Sequence, residues 1–239
     1  MTGTLINFAA IIAGGGIGLL LGAKISEKVK TTIISGLGIF TLLYAISLFL
    51  KTQNSLVVLG SILLGVLIGE WTHLQNGVEN LGVWLESRFS KSKGSEERNK
   101  FIHGFMTTTL IFCIGPMAIL GAMEDGLTGN IQTLVIKSVL DGFAAMAFAS
   151  TLGVGVLFSS FMVLLYQGAI SLLAAQIQGV MTDEMILELT ATGGVILAAI
   201  AVSNLLELKK IRTASFLPAL FLAPLIVYLI SLFKKKKPA

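Results

Sequence analysis

The chain has 239 residues, of which 54% are hydrophobic and 13% are charged. Soluble domains carry about 25% charged residues, so the long charge-free runs exclude an ordinary soluble domain and indicate a membrane protein. The net charge of +4 is concentrated in a few loops, and it therefore reports membrane orientation and not nucleic-acid binding. The single cysteine, Cys113, excludes an intrachain disulfide.

The charge-free runs define the predicted elements in chain order. Spans are expected at about 4–23, 31–50, 55–70, 102–122, 185–206 and 214–233, with two more inside 131–178. The two spans in 131–178 fold back on each other between Thr151 and Gly155. The last run contains Pro218 and Pro224, so it either crosses fully or is re-entrant. The sequence thus predicts an all-α membrane protein, a polytopic bundle of seven or eight transmembrane helices.

Residues 71–90 differ from the spans because apolar and polar residues alternate at helical spacing. The apolar positions are Leu74, Val78, Leu81, Leu85 and Phe89. This pattern predicts an amphipathic helix in the membrane interface, with Trp71 and Trp84 near the headgroups. We therefore divide one membrane domain into an N-terminal unit, 1–90, a cytoplasmic linker, 91–101, and a C-terminal unit, 102–239.

Lysine and arginine are concentrated in alternate loops. They occur in 24–30, 71–101 and 207–213, whereas the opposite loops include acidic residues such as Asp125. Because cytoplasmic loops carry the excess of Lys and Arg, the N-terminus is predicted outside and loop 71–101 inside. Eight full spans would place the basic tail, Lys234–Lys237, outside, which conflicts with this rule.

Small residues recur every four positions in two spans. The positions are Gly14, Gly18 and Gly22 in the first span and Ser61, Gly65 and Gly69 in the third. Small residues on one face allow helix backbones to approach closely. We interpret both stripes as helix packing within one subunit. Contact between subunits of a homo-oligomer, or a pore lining, stays open.

Lys137, Ser138 and Asp141 are the most unusual residues of the chain. They lie in a predicted span, and a spacing of four places Lys137 and Asp141 on one helix face. A charge at the bilayer centre costs about 2.5–3.5 kcal/mol on insertion scales. Asp141 is about 15 Å deep if the helix begins near residue 131, and it should face the bundle interior. Lys137 is only about 9 Å deep, so extension to the outer surface and a structural salt bridge are both open alternatives.

Other polar features lie near the predicted membrane centre. Gly115 and Pro116 interrupt the fourth span, and a broken helix offers carbonyl groups to ions or solutes. Gln167, Thr190 and Thr192 are candidates to complete a polar cavity. The remaining polar residues within spans are expected to make single helix–helix hydrogen bonds. They are Asn7, Ser47, Glu188 and Asn204, of which Glu188 is near the outer end.

Several function classes lack their sequence signals. His73 and His103 lie at span ends without a ligand cluster, so no metal site is predicted. Phosphate-binding loops and hydrolase motifs are absent, so we predict no enzyme and no cofactor. The favoured function is a transporter or channel for a small solute or ion, with a polar site around Lys137 and Asp141. The alternative is a membrane scaffold in which this pair is a structural salt bridge.

Long strings of the sequence resemble a known bacterial family. They include GTLINFAAIIAGGGIGLLLG, KSVLDGFAAMAFASTLGVGVLF and LTATGGVILAAIAVSNLLELKKIR. The chain resembles the YqgA/YdfK-like integral membrane family over almost its whole length. That family is catalogued as a domain of unknown function and sometimes labelled a possible channel or transport protein. The resemblance implies a bacterial inner-membrane location. The basic tail after LAPL departs from the family's expected pattern.

Overall fold

The computed structural model describes residues 1–90 and 95–235 as helices joined by short loops. The helices are α1 Thr2–Gly22, α2 Glu27–Phe49, α3 Ser55–Trp71, α4 Leu74–Leu85, α5 Ser95–Cys113, α6 Pro116–Thr128, α7 Gln132–Leu152, α8 Gly155–Leu172, α9 Ala174–Gln178, α10 Asp183–Ile200 and α11 Pro218–Lys235. Single π-helical turns follow α4 and α10, and a 3-10 turn at Thr213–Phe216 precedes α11.

Six of the described helices are long and apolar enough to cross a membrane. They are α1, α2, α7, α8, α10 with its π-helical turn, and α11 with its preceding turn. The number rises to eight if two bent pairs each count as one span, namely α3 with α4, bent by 59°, and α5 with α6, bent by 61°. The predicted all-α membrane fold is therefore confirmed, with six to eight candidate spans.

The helices run between two ends of one bundle. At the end where α1 begins, Gly3 packs against Leu134 near the start of α7, and Gly126 of α6 packs against Ser171 near the end of α8. We refer to this as the N-terminal end. Helix α1 runs parallel to α7 and finishes with Gly22 beside Ser150 at the opposite end. The α7–α8 connection lies there too, and it turns at Gly153, whose φ of +82° favours glycine.

The bundle consists of two interleaved groups of helices. Helices α1, α5, α6, α7 and α8 pack on one another, and α2, α3, α10 and α11 form the second group. Contacts of α2 with α7 and of α5 with α10 join the two groups. The first group therefore combines the first helix of the chain with helices from its middle.

The stripes of small residues lie against neighbouring helices of the same chain. A Cβ atom added at Gly14, Gly18 or Gly22 would overlap a backbone carbonyl group of α7. The α3 stripe is buried in the same manner against α11 and the turn before it, and its members are Ser61, Gly65 and Gly69. Close contact of this kind brings the α1 and α7 backbones together along the stripe.

The shape of α11 distinguishes a full span from a re-entrant loop for the last apolar run. It continues without reversal from Pro218 to Lys235, with Pro224 inside it. Its 18 residues extend about 27 Å, which is close to the thickness of a bilayer core. The run therefore has the geometry of a full span and not of a re-entrant loop. Lys236 and Lys237 of the basic tail lie outside the described residues.

The segment between α3 and α5 differs in part from expectation. Helix α4 exists, but its apolar side chains Val78, Leu81 and Leu85 pack against α5 around Phe101. Trp71 and Trp84 are exposed on the protein surface. Helix α5 begins at Ser95, inside the predicted linker, because the linker's acidic residues suit the first turn of a helix. Residues 91–94 lie outside the described part of the chain.

Candidate functional site

Lys137 and Asp141 form an ion pair in the interior of the first helix group. The Lys137 ammonium group donates to Oδ2 of Asp141, one turn away on α7. Lys137 is 6% exposed and Asp141 is 8% exposed. Lys137 therefore pairs inside the bundle and does not extend to the end of the helix. The hydroxyl of Ser138 donates to the carbonyl of Leu134 in its own helix.

Asn7 connects this pair to α8. Its Nδ2 donates to Oδ2 of Asp141 at 2.9 Å and to Oε1 of Gln167 at 3.3 Å. Asn7 and Gln167 are both completely buried. We call Asn7, Lys137, Asp141 and Gln167 the polar cluster. It joins α1, α7 and α8, and the close α1–α7 contact at the glycine stripe sets the position of Asn7.

Three buried side-chain atoms of α1 and α8 have no protein hydrogen-bond partner. They are Oδ1 of Asn7, Nε2 of Gln167 and Oγ1 of Thr4. The amide orientations are determined by chemistry, because an ionised carboxylate only accepts and Asn7 must present its NH₂ group to Asp141. A buried polar group without a partner costs about 1–3 kcal/mol. The polar cluster thus has unused hydrogen-bonding capacity.

Further polar groups lie between the cluster and the N-terminal end. Asp125 of α6 accepts from the backbone N–H of Gly3 at 3.1 Å and from the amino group of Met1 at 2.8 Å. Ser171 of α8 accepts from the same amino group at 3.3 Å. Asp125, expected in an outer loop, is therefore a buried residue of α6.

The side of the cluster that faces the opposite end is apolar. One buried hydrophobic cluster contains Ile11 of α1, Phe112 of α5, Phe148 of α7 and Val163 of α8. The Phe112 and Phe148 rings are in edge contact, with centroids 6.4 Å apart. We call this set of residues the apolar layer. It separates the polar cluster from the opposite end of the bundle.

The predicted break in the fourth span is present between α5 and α6. Helix α5 ends at Cys113 and α6 begins at Pro116, with Gly115 in extended conformation before it. Gly115, Cys113 and Thr190 line a small cavity of about 10 Å³, enough for one water molecule.

The two threonines of α10 are not part of the polar cluster. Thr190 lines the small cavity at Gly115, and Thr192 is buried with a hydroxyl that has no protein partner. Among the described residues, no hydrogen bond joins either threonine to Lys137 or Asp141. The sequence predicted that they share a polar cavity with Lys137 and Asp141, but they belong to α10 in the second helix group.

Glu188 has a structural role. It is completely buried, and its carboxylate accepts from the Thr52 hydroxyl at 2.6 Å and from the backbone N–H groups of Gln53 and Asn54 at 2.8 and 2.9 Å. It therefore fixes the loop between α2 and α3 to the start of α10. It lies near a helix end, as the sequence indicated, and its side chain is covered by protein.

A large open cavity lies at the opposite end, between α4, α5 and the loop that follows α10. Its volume is about 1250 Å³, and its lining includes Arg98, His103, Glu207 and Lys210. Beside it, Nδ2 of Asn204 donates to the Thr107 hydroxyl at 3.0 Å. This cavity combines residues from three separate segments, so no single stretch of sequence predicted it.

Comparison with known proteins places the chain in a family. The family described as "Protein of unknown function (DUF554)" matches residues 2–228, nearly the whole chain. The chain belongs to the DUF554 family. This confirms the resemblance found from the sequence, and the match ends at Tyr228, before the basic tail.

Two relatives of this DUF554 chain are similar over nearly their full lengths. "Uncharacterized protein YqgA" of Escherichia coli (strain K12) is 33% identical over 221 residues, covering 92% of this chain and 94% of the relative. "Uncharacterized membrane protein YdfK" of Bacillus subtilis (strain 168) is 27% identical over 237 residues, covering 98% of each. No solved structure matches. The second relative's name agrees with the membrane character of the helices.

Sequence reasoning missed part of the DUF554 site. Asn7 was expected to make an isolated helix–helix hydrogen bond, and Thr4 was not selected. Their spacing of three, at the start of an otherwise apolar span, is a signal that they share a helix face. Asp125 was assigned to a loop because α6 was predicted to end too early. Within residues 1–90 and 95–235, no group of three His, Cys, Asp or Glu side chains could hold a metal ion.

Proposed function

We propose that this chain is a bacterial inner-membrane transporter or channel for a small solute or ion, with the polar cluster as its substrate or ion site. The observation that carries the proposal is the buried Lys137–Asp141 pair beside the unpartnered amide atoms of Asn7 and Gln167. Ionisable residues that face the interior of a membrane bundle are typical of ion and solute pathways.

A purely structural salt bridge accounts for only part of the cluster. It explains Lys137 and Asp141, whose charges neutralise each other. It does not explain Asn7 Oδ1 or Gln167 Nε2, because a buried polar atom without a partner is less stable than an apolar group of the same shape. This unused hydrogen-bonding capacity supports a ligand at the cluster.

Each candidate residue has a separate role in this proposal. Asp141 is the central charge, and Lys137 is its counter-charge or the contact for a carboxylate of the substrate. The break at Gly115 and Pro116 interrupts the α5–α6 span, so that the two helices meet at an angle. The cavity at Gly115 and Thr190 is a second polar position, on the border between the two helix groups.

The orientation follows from charge. The basic loops 24–30 and 207–213 both lie at the opposite end of the bundle. The first follows Gly22, which is beside Ser150. The second follows Asn204, which bonds to Thr107, one turn from the contact of Gly104 with Leu152. The positive-inside rule makes this end cytoplasmic. The N-terminal end, with Asp125, then faces the outside. The large cavity opens to the cytoplasm in this orientation.

Flux into proteoliposomes of the purified full chain tests the proposal. The panel offers protons, alkali cations and small neutral solutes under imposed gradients. For at least one of them, the flux into liposomes that contain wild-type protein is expected to exceed the flux into protein-free liposomes. Asp141→Asn should lower that flux by about tenfold or more, because it removes the central charge (about 1.4 kcal/mol or more).

The matched control is Glu184→Gln, an exposed carboxylate near the start of α10, which should keep the wild-type flux. Flux of Asp141→Asn equal to that of wild type would remove Asp141 from the pathway. If wild-type protein carries no member of the panel, the scaffold function is favoured instead.

A further inference from the structure

A column of polar side chains connects the polar cluster to the N-terminal end of the bundle. Thr4 and Asn7 are three residues apart on α1, so they lie on one helix face about 4.5 Å apart along the axis. Both are completely buried. Asp125 and Ser171 lie beyond Thr4, where α6 and α8 meet the start of α1. Polar groups thus continue from the end of the bundle to Asp141.

The unpartnered atoms in this column define the chemistry of their ligand. Oδ1 of Asn7 is an acceptor, and Nε2 of Gln167 is a donor. A ligand between them must donate one hydrogen bond and accept another. Water does both, and buried water typically bonds to two to four polar groups that would otherwise lack a partner. The Thr4 hydroxyl, which both donates and accepts, extends the same chemistry towards the end of the bundle.

A metal cation fits these residues less well than water does. The ammonium group of Lys137 already neutralises Asp141, so an added cation would leave a net buried charge. Such a charge is costly in the bundle interior. The NH₂ group of Gln167 would also present its positive end to the cation. A neutral ligand avoids both costs.

The column ends at the apolar layer. Ile11 and Val163 of this layer are completely buried, as is Ala145 of the same hydrophobic cluster. Each lies about one turn beyond a residue of the polar cluster. The hydroxyls of Ser159 and Ser160, further along α8, donate to carbonyl groups of their own helix. Their hydroxyl hydrogens are therefore used within α8.

We infer that water occupies a one-sided pathway, which runs from the N-terminal end past Thr4 to a site between Asn7 and Gln167 and stops at the apolar layer. This inference concerns access to the Lys137–Asp141 pair and does not depend on the proposed transport. For a transporter, it means that this conformation is open to water at the N-terminal end and closed at the opposite end.

The test uses D₂O as a probe of the same size as water. Cys113 is the only cysteine of the chain, so a Cys113→Ala background leaves one S–H group in each single-cysteine variant. Thr4→Cys, with Ser171→Cys as a second variant, places that group in the column. Ala145→Cys and Val163→Cys are matched controls, because Thr4, Ala145 and Val163 are all 0% exposed.

Infrared spectra of the full chain in lipid nanodiscs would follow the conversion of the S–H band to S–D after transfer to D₂O. Thr4→Cys and Ser171→Cys should exchange at least about tenfold faster than the two controls, since groups shielded from water exchange slowly. Slow exchange at both column positions overturns the pathway. Equally fast exchange at Ala145→Cys or Val163→Cys overturns its closure at the apolar layer. Neither result depends on finding a transported substrate.

Discussion

At the residue scale, the Lys137–Asp141 pair and the amides of Asn7 and Gln167 form one hydrogen-bonded unit. Lys137 and Asp141 neutralise each other, and Asn7 donates one hydrogen bond to the carboxylate and another to Gln167. Removing one charge leaves the other buried without compensation, whereas removing both leaves an apolar interior. Stability measurements on single and double variants therefore separate the cost of the pair from its function.

We predict that Lys137→Met alone strongly destabilises the protein, because it leaves the Asp141 carboxylate buried and unpaired. Breaking a buried pair costs about 3–5 kcal/mol, while replacing both partners by apolar residues is often neutral. Lys137→Met with Asp141→Leu should therefore recover most of the wild-type melting temperature, measured by size-exclusion chromatography after heating. Lys30→Met, which breaks the exposed Glu27–Lys30 pair, is the control and should change little.

The double variant also distinguishes the two functions. A transporter that uses Asp141 loses its flux in the folded double variant, whereas a scaffold keeps its assembly role. If the double variant has as low a melting temperature as Lys137→Met alone, the pair stabilises the fold by more than mutual charge compensation.

At the scale of elements, the glycine stripe of α1 determines where the polar cluster forms. Gly14, Gly18 and Gly22 bring α1 against the α7 backbone, and this contact places Asn7 beside Asp141. The break between α5 and α6 and the turn at Gly153 then bring α8 alongside, with Gln167 facing the same point.

Gly14→Leu should displace α1 from α7, because a side chain there would overlap the carbonyl of Gly142. Overpacking typically costs about 1–3 kcal/mol, and the displacement would also separate Asn7 from Asp141. Gly16→Leu is a control on the same helix, since no atom lies within 4 Å of a Cβ atom there. Both substitutions gain equally in helix propensity, so a lower melting temperature for Gly14→Leu alone is the expected result. Equal melting temperatures would mean that the stripe does not set the α1–α7 distance.

At the scale of the whole molecule, local patterns predicted the helices and their approximate ends. Charge-free runs marked the spans, Pro116 marked the break, and a four-residue spacing placed Lys137 beside Asp141. The pairing of helices was not predictable in this way. The hydrogen bond from Asn7 to Asp141 joins residues 134 positions apart, and nothing local to α1 identifies α7 as its neighbour. Asp125 was misplaced because the proline break hid the continuation of the helix to Thr128.

An experimental structure of the full chain in lipid nanodiscs, at a resolution that shows ordered water, tests the central claim most directly. The claim is that the Lys137–Asp141 pair belongs to an interior polar site with unused hydrogen-bonding capacity. We expect the Lys137 ammonium on Asp141, and water-sized density bridging Oδ1 of Asn7 and Nε2 of Gln167. A structure in which Lys137 extends to the N-terminal end, and in which those two amides bond only to protein groups, would contradict the account.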